Sequence, residues 1–285
     1  GHLFVSDVLL SESGMQTHPL PPMTAAALRR WLAPQTRYQV GHVPASAVFA
    51  GAEAITKALD TEHASGKKHI VVDAIRDEDL MVIGAAAADL PLVTGGSGVA
   101  LGLPANFSCQ PGTPTWRGQD GPALVISGSC SIATRGQVNF HKDRHNAREL
   151  SAEDIVNDEF SPQEVLDWAL SAGGIPLVYS SADPEVVAAV QERFGRDASA
   201  MAIEGFFSDL ARLAVASGIT RIITAGGETS GAVVEALGLE SLAIGPEIDP
   251  GIPALRASEN LVVALKSGNF GAEDFFEKAA KVLGP

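Results

Sequence analysis

The sequence predicts an α/β protein of two domains with mainly parallel sheets. Three observations carry this. Short β-branched runs alternate with stretches of helical periodicity along most of the chain, the pattern of βα units. Glycine-rich turns stand directly after several of those runs, notably TAGGETSG at Thr224–Gly231. A proline-rich segment, Pro104–Pro122, interrupts the pattern and divides the chain into remaining parts of a first domain (1–105), a linker (106–122) and a second domain (123–285).

Composition narrows the function. The 285 residues carry a formal charge of −14, a field that repels nucleic acid and anionic membranes. Cys109 and Cys130 are too few for a disulfide scaffold and suit a reduced, cytoplasmic compartment. No apolar run of about 18 residues spans a membrane, and no signal peptide is evident. The expected partners are therefore small molecules, with a homo-oligomer left open.

Taken in order, Gly1–Leu10 reads as strand material that begins in mid-element, as in a fragment or processed product. Pro19, Pro21 and Pro22 make a loop, with His18 in it, and Thr24 is placed to cap a helix through Leu28 and Trp31. Tyr38–Val43 is expected as a strand and Gly51–Leu59 as a helix. His69–Ala74 is a strand with Asp73 near its end, followed by a helix at Asp77–Leu90. Asp73 is a candidate base or metal ligand; Asp77 is the same or a helix cap. Leu92–Thr94 is a short strand leading to Gly95, Gly96 and Ser97. This LVTGGSGVALGL stretch resembles IITAGGETSGAVVEALGL, so a repeated unit and a chance likeness both stand.

In the second half, Ala123–Ser127 is a strand with a turn at Ser127–Ser131, then a helix to about Phe140. Ser161 and Pro162 begin a helix to Ser171. Strands follow at Ile175–Ser180, Ile219–Ala225, Leu242–Gly245 and Leu261–Leu265. Helices are expected at Pro184–Phe194, Gly205–Ser217, after Gly227, and at Glu273–Leu283. Three turns thus fall at carboxyl ends of strands: Ser127–Ser131, Gly226–Ser230 and Lys266–Gly271. That edge of a parallel sheet is where ligands bind, and a glycine turn opening a helix suits a phosphate. Lys266 adds positive charge. Neither the Walker lysine motif nor the spaced dinucleotide glycines are present, which disfavours a dinucleotide-dependent oxidoreductase. His141 and His145, four apart among Lys, Asp and Arg, read as a solvated helix face. Cys130 reads as a small thiol in a tight turn.

The chain resembles the four-carbon acid sugar kinase family, most closely its 3-oxo-tetronate 4-kinase branch. The resemblance rests on GHLFVSDVLLSESGMQTHPL, LVTGGSGVALGLPANF, VISGSCSIATRGQV, TAGGETSGAV and LKSGNFG. It implies a sugar-acid domain followed by a nucleotide-binding domain, with ATP and Mg²⁺ in a cleft between them. The implied activity is transfer of the γ-phosphoryl group of ATP to the terminal hydroxyl of a four-carbon acid, 3-oxo-tetronate or of threonate/erythronate type. The implied nucleotide residues are Ser127, Gly128, Ser129, Gly226, Gly227, Glu228, Thr229 and Gly268, with Ser230, Lys266 and Asn269 supporting the turns. Gly95, Gly96 and Ser97 are the candidate substrate contacts and Asp73 the candidate catalytic group; metal ligands are left unassigned. Family members open with an Asp-Asp-x-Thr-Gly segment that this chain lacks, so a catalytically silent nucleotide-binding fragment or regulatory module is the alternative reading.

Overall fold

The computed structural model describes residues 1–5, 7–13, 25–110, 112, 115–180 and 184–285, without the side chains of 184, 185, 187, 188 and 196. His18, the Pro19–Pro22 loop and the Thr24 cap lie outside the described residues. The chain forms two compact units, Gly1–Gly112 and Thr113–Pro285.

In the first unit, β1 (Phe4–Val5) and β2 (Val8–Leu9) pair antiparallel. The helix α1 is Leu28–Leu32, with Ala27 as its N-cap. β3 (Val40–Val43) pairs in parallel with β4 (His69–Val72). Helices α2 (Ala45–Phe49), α3 (Ala52–Ala64) and α4 (Asp77–Ala86) accompany them. Val43, Val48 and Ile55 are the fully buried centre of this small core. Asp79, and not Asp77, caps α4: its Oδ2 accepts from the Ile75 and Arg76 N–H groups at 2.9 and 3.0 Å. The strand expected at Leu92–Thr94 does not form. Leu92 is 80% exposed, and the segment leads through a loop into a 3₁₀ helix at Ser97–Gly102. The likeness between the two glycine stretches is therefore not a structural repeat.

The second unit is built on β5 (Ala123–Ser127), β6 (Ala147–Glu149), β7 (Leu177–Tyr179), β8 (Arg221–Ala225), β9 (Ala243–Asp249), β10 (Ile252–Ser258) and β11 (Leu261–Lys266). Their order is β6-β7-β5-β8-β11-β10-β9. The first five are parallel; β10 and β9 add antiparallel. Sequence reading missed β6 and β10 and shortened β9. The outer strand β9 contains Pro246, which has no N–H to offer a ladder.

Helices α5 (Ile132–Lys142), α6 (Ala152–Val156), α7 (Pro162–Ala172), α8 (Pro184–Phe194), α9 (Arg196–Ala216), α10 (Gly227–Ala236) and α11 (Phe275–Leu283) complete the unit. All five residues of β5 are buried, as expected of a parallel strand covered on both faces. Leu124 and Ile126 pack with Leu166, Phe207 and Val233 on one side; Val125 packs with Val138, Phe275 and Phe276 on the other. Ser161 caps α7 as the sequence implies, its Oγ accepting from Glu164 N while the Glu164 carboxylate accepts from Ser161 N at 2.8 Å. The long helix begins at Arg196, nine residues before Gly205, which the sequence marks as its start.

Candidate functional site

β5, β8 and β11 end in register. Ser127 stands opposite Ala225, and Ala225 opposite Lys266. The three turns after them are consequently neighbours. Their backbones are joined directly: Gly128 N donates to Ala225 O at 3.1 Å and Gly226 N to Lys266 O at 2.9 Å. After β5 the chain enters α5 on the Val125 face; after β8 it enters α10 on the Leu124 face. Adjacent parallel strands whose helices depart to opposite faces leave a crevice between their carboxyl ends, where ligands of open α/β sheets sit.

The glycines are required by close approach. A Cβ on Gly128 would lie 2.3 Å from Thr229 Oγ1, and one on Gly268 would lie 2.5 Å from Ser129 Oγ. Gly226 has φ 121°, which L side chains rarely adopt, and stands against the Ser129 backbone. Gly227 differs. It opens α10 with nothing within 4 Å of a Cβ placed on it. Gly226 gives α10 no side-chain cap, and Ser230 N→Gly226 O (2.9 Å) is the first bond of the helix. The N–H groups of the first turn therefore face outward with the positive end of the helix dipole, a suitable setting for a phosphate.

A polar knot holds the third turn. The Gly268 carbonyl accepts from Thr134 Oγ1 at 2.8 Å, from Lys266 Nζ at 3.2 Å and from Ser131 Oγ. Lys266 Nζ also donates to Thr134 Oγ1 at 2.8 Å and to Ser267 O at 3.1 Å. Lys266 is 2% exposed, and burial pushes its pKa down to about 8. Its ammonium is turned inward on the loop. Ser131 Oγ also accepts from Thr134 N at 3.2 Å and so caps α5. Ser230 Oγ lies 2.7 Å from Thr224 Oγ1 and 3.4 Å from Lys266 O, tying α10 to the strand ends. Asn269 is exposed, as are Gly227 and Glu228; Thr229 is buried.

Sequence reading passed over Glu204, on α9. Its carboxyl is held above the usual range, first by burial and then by the charge of Glu228. These two acids lie close enough for their charges to interact although 24 residues separate them, and nothing in the spacing announces it.

Asp73, Gly95, Gly96 and Ser97 belong to the first unit. Asp73 Oδ2 accepts from Ala45 N at 3.1 Å, at the start of α2; Oδ1 meets the Gly1 nitrogen and lies 3.0 Å from His42 Nε2. Burial alone would raise the Asp73 pKa, but its hydrogen bonds with the Gly1 amino group and His42 outweigh this and hold it below its ordinary value. Gly95–Ser97 are exposed. Cys109 is exposed and Cys130 half-buried, and they form no disulfide. His141 is fully buried, which corrects the expectation of a solvated His141–His145 face.

Two family profiles match the chain: a sugar-binding N-terminal domain over residues 1–103 and a nucleotide-binding C-terminal domain over residues 124–276. The chain belongs to the four-carbon acid sugar kinase family. Members of this family are phosphotransferases acting on a hydroxyl group, and this is the enzyme class of the chain. It is 44% identical over 294 residues to a 3-oxo-tetronate kinase of Pseudomonas savastanoi pv. phaseolicola, an alignment covering 99% of this chain and 68% of the relative. A crystal structure of a Haemophilus influenzae protein is 39% identical, with a TM-score of 0.66, covering 99% of this chain and 70% of that one. A Salmonella typhimurium LT2 structure, which carries a provisional tRNA-synthase label, is 38% identical with a TM-score of 0.75, covering 98% and 68%. Among the described residues, no helix is long and apolar enough to cross a membrane.

Proposed function

We propose that this kinase uses ATP to phosphorylate the terminal hydroxyl of a four-carbon sugar acid of the 3-oxo-tetronate or threonate/erythronate type. The observation that carries the nucleotide half of the reading is the interlocking of three glycine turns at the ends of β5, β8 and β11, beside the uncapped start of α10. The names of the curated relatives support the acceptor.

In this reading the phosphate chain lies over Gly226 and Gly227, where backbone N–H groups and the helix dipole meet it without a Cβ between. Ser127, Gly128, Ser129 and Gly268 form the neighbouring walls, and Thr229 with Ser230 fixes the entry of α10. Lys266 and Asn269 hold and flank the last turn. Glu228 and Glu204 supply hard oxygen donors that fit Mg²⁺, which when bound shares the charge of the β- and γ-phosphates. That ion also reconciles two carboxylates with a polyanion. Gly95, Gly96 and Ser97 are proposed to contact the acid, and Asp73 to orient its hydroxyl or accept its proton. The cytoplasm is the proposed compartment.

The test is ADP release with a panel of four-carbon acids and Mg-ATP. It is run on this chain and on one extended by the Asp-Asp-x-Thr-Gly segment expected from the family. Turnover of at least one acid by either form is the expected result. ATP binding with no turnover by both forms would favour a silent nucleotide-binding module, and no ATP binding would sink the reading altogether.

A further inference from the structure

His141 lies near the end of α5, ten residues from the Ser131 cap and so about 15 Å from the nucleotide turns along that helix. Its Nε2 is 2.8 Å from the Ile175 carbonyl, which only accepts, so Nε2 carries the proton. Its Nδ1 then presents a lone pair, 2.8 Å from Glu277 Oε1 on α11. Two acceptors face each other there unless something positive stands between them.

The surroundings favour a metal ion over a second proton. His141 is fully buried, so no solvent reaches its Nδ1. Glu277 Oε2 is also buried and has no hydrogen-bond partner. The His145 ring stacks on His141 at 4.5 Å and brings its Nε2 to 3.6 Å from Glu277 Oε1. All three donor atoms fall within 4.8 Å of one another. A tetrahedral ion bound at about 2.1 Å needs donors separated by about 3.4 Å, so small rotations of these side chains suffice. The Nε2–H bond to Ile175 is the outer-shell contact that orients a metal-bound imidazole.

We propose that His141, His145 and Glu277 bind one divalent transition-metal ion, with zinc the best match to two imidazoles and a carboxylate. Water completes the fourth position, since His145 and Glu277 are each about a quarter exposed. The ion clips α5 to α11 and to the strand entrance at Ile175. It is separate from the nucleotide-bound magnesium in both place and donor chemistry.

The experiment strips the full chain with a chelator and titrates it with zinc against a chromophoric competitor, recording Tm at each ratio. Cobalt(II) absorption reports the coordination. One zinc per chain, a Tm that rises with loading and tetrahedral cobalt bands are expected. His145→Ala and Glu277→Gln are each expected to abolish all three responses while far-UV circular dichroism stays unchanged. Because Glu277 is partly buried and its variant is the less secure, His145→Ala alone decides if Glu277→Gln fails to fold. Absence of binding by the parent chain, or zinc affinity in His145→Ala equal to the parent's, would overturn the assignment.

Discussion

Lys266 Nζ stands 3.2 Å from the carbonyl oxygen of Gly268, two residues on, so that a strand ends by folding its own cation under the turn that follows. Thr134 closes the ring from α5 at 2.8 Å to both groups. The positive charge expected at this edge from the sequence is thus used within the loop.

Lys266→Met tests the consequence. With its pKa lowered to about 8 from an ordinary 10.5, Lys266 binds fewer protons in the folded than in the unfolded chain between those values. Stability attributable to this residue should therefore rise with pH through that window, by at most about 3 kcal/mol. The methionine variant should lack that rise in urea melts at pH 7.5 and 9.5, and should bind ATP roughly tenfold more weakly through a loosened Gly268 turn. A variant with the same pH slope as the parent would show that the lysine is not buried in solution.

The paired glycines separate folding from binding. Gly226→Val places a β-branched residue at φ 121° and should cost about 1–3 kcal/mol of stability. Gly227→Val meets no neighbour and no positive φ, so the fold should persist with only a modest loss, while ATP affinity falls sharply because the side chain enters the proposed phosphate space. Calorimetric ATP binding by Gly227→Val at the parent's affinity would remove the phosphate from this turn.

Asp73→Asn is expected to lower turnover more than ATP affinity. It should also cost about 1–3 kcal/mol, because the carboxylate accepts from Ala45 N at the start of α2. The carboxylate's lowered pKa gives a stability that is present above its ordinary 3.8 and lost as pH falls toward the folded value. Acid melts of parent and variant should therefore converge at low pH. Unchanged kcat in a folded variant would confine Asp73 to holding α2.

Residues 113–285 should fold alone and bind ATP without transferring phosphate. Both large apolar clusters, around Leu124 and around Val125, draw only on the second unit. Trp116 and Gln119 dock there too, donating to the Val282 and Leu283 carbonyls at 2.9 and 2.8 Å. A truncated chain that gives no cooperative melt would refute this independence.

The parallel framework was legible because buried strands such as ALVIS and RIITA are short, apolar and followed at once by glycine. The glycine turns were legible for the same local reason. What stayed hidden depends on distant partners. β10, which the sequence does not announce, forms because β11 offers it an antiparallel edge. Leu92–Thr94 has strand-like composition but gains no partner strand, so propensity goes unused. His141 looks solvated among Lys142, Asp143 and Arg144, yet helical geometry turns it inward where its sequence neighbours face water. The Glu204–Glu228 approach is created by packing of α9 beside α10, which local periodicity does not encode.

Pro246 on the outermost strand bears on how copies of this chain can associate. The last strand of a sheet is ordinarily a template onto which another molecule adds its own strand. Here Pro246 has no N–H to offer and the register of β9 with β10 is irregular, while the opposite rim, β6, is only Ala147–Glu149 and carries Arg148 and Glu149. Neither border offers a long, regular ladder for a neighbouring chain to extend. Edge-to-edge fibre growth through this sheet is thereby disfavoured.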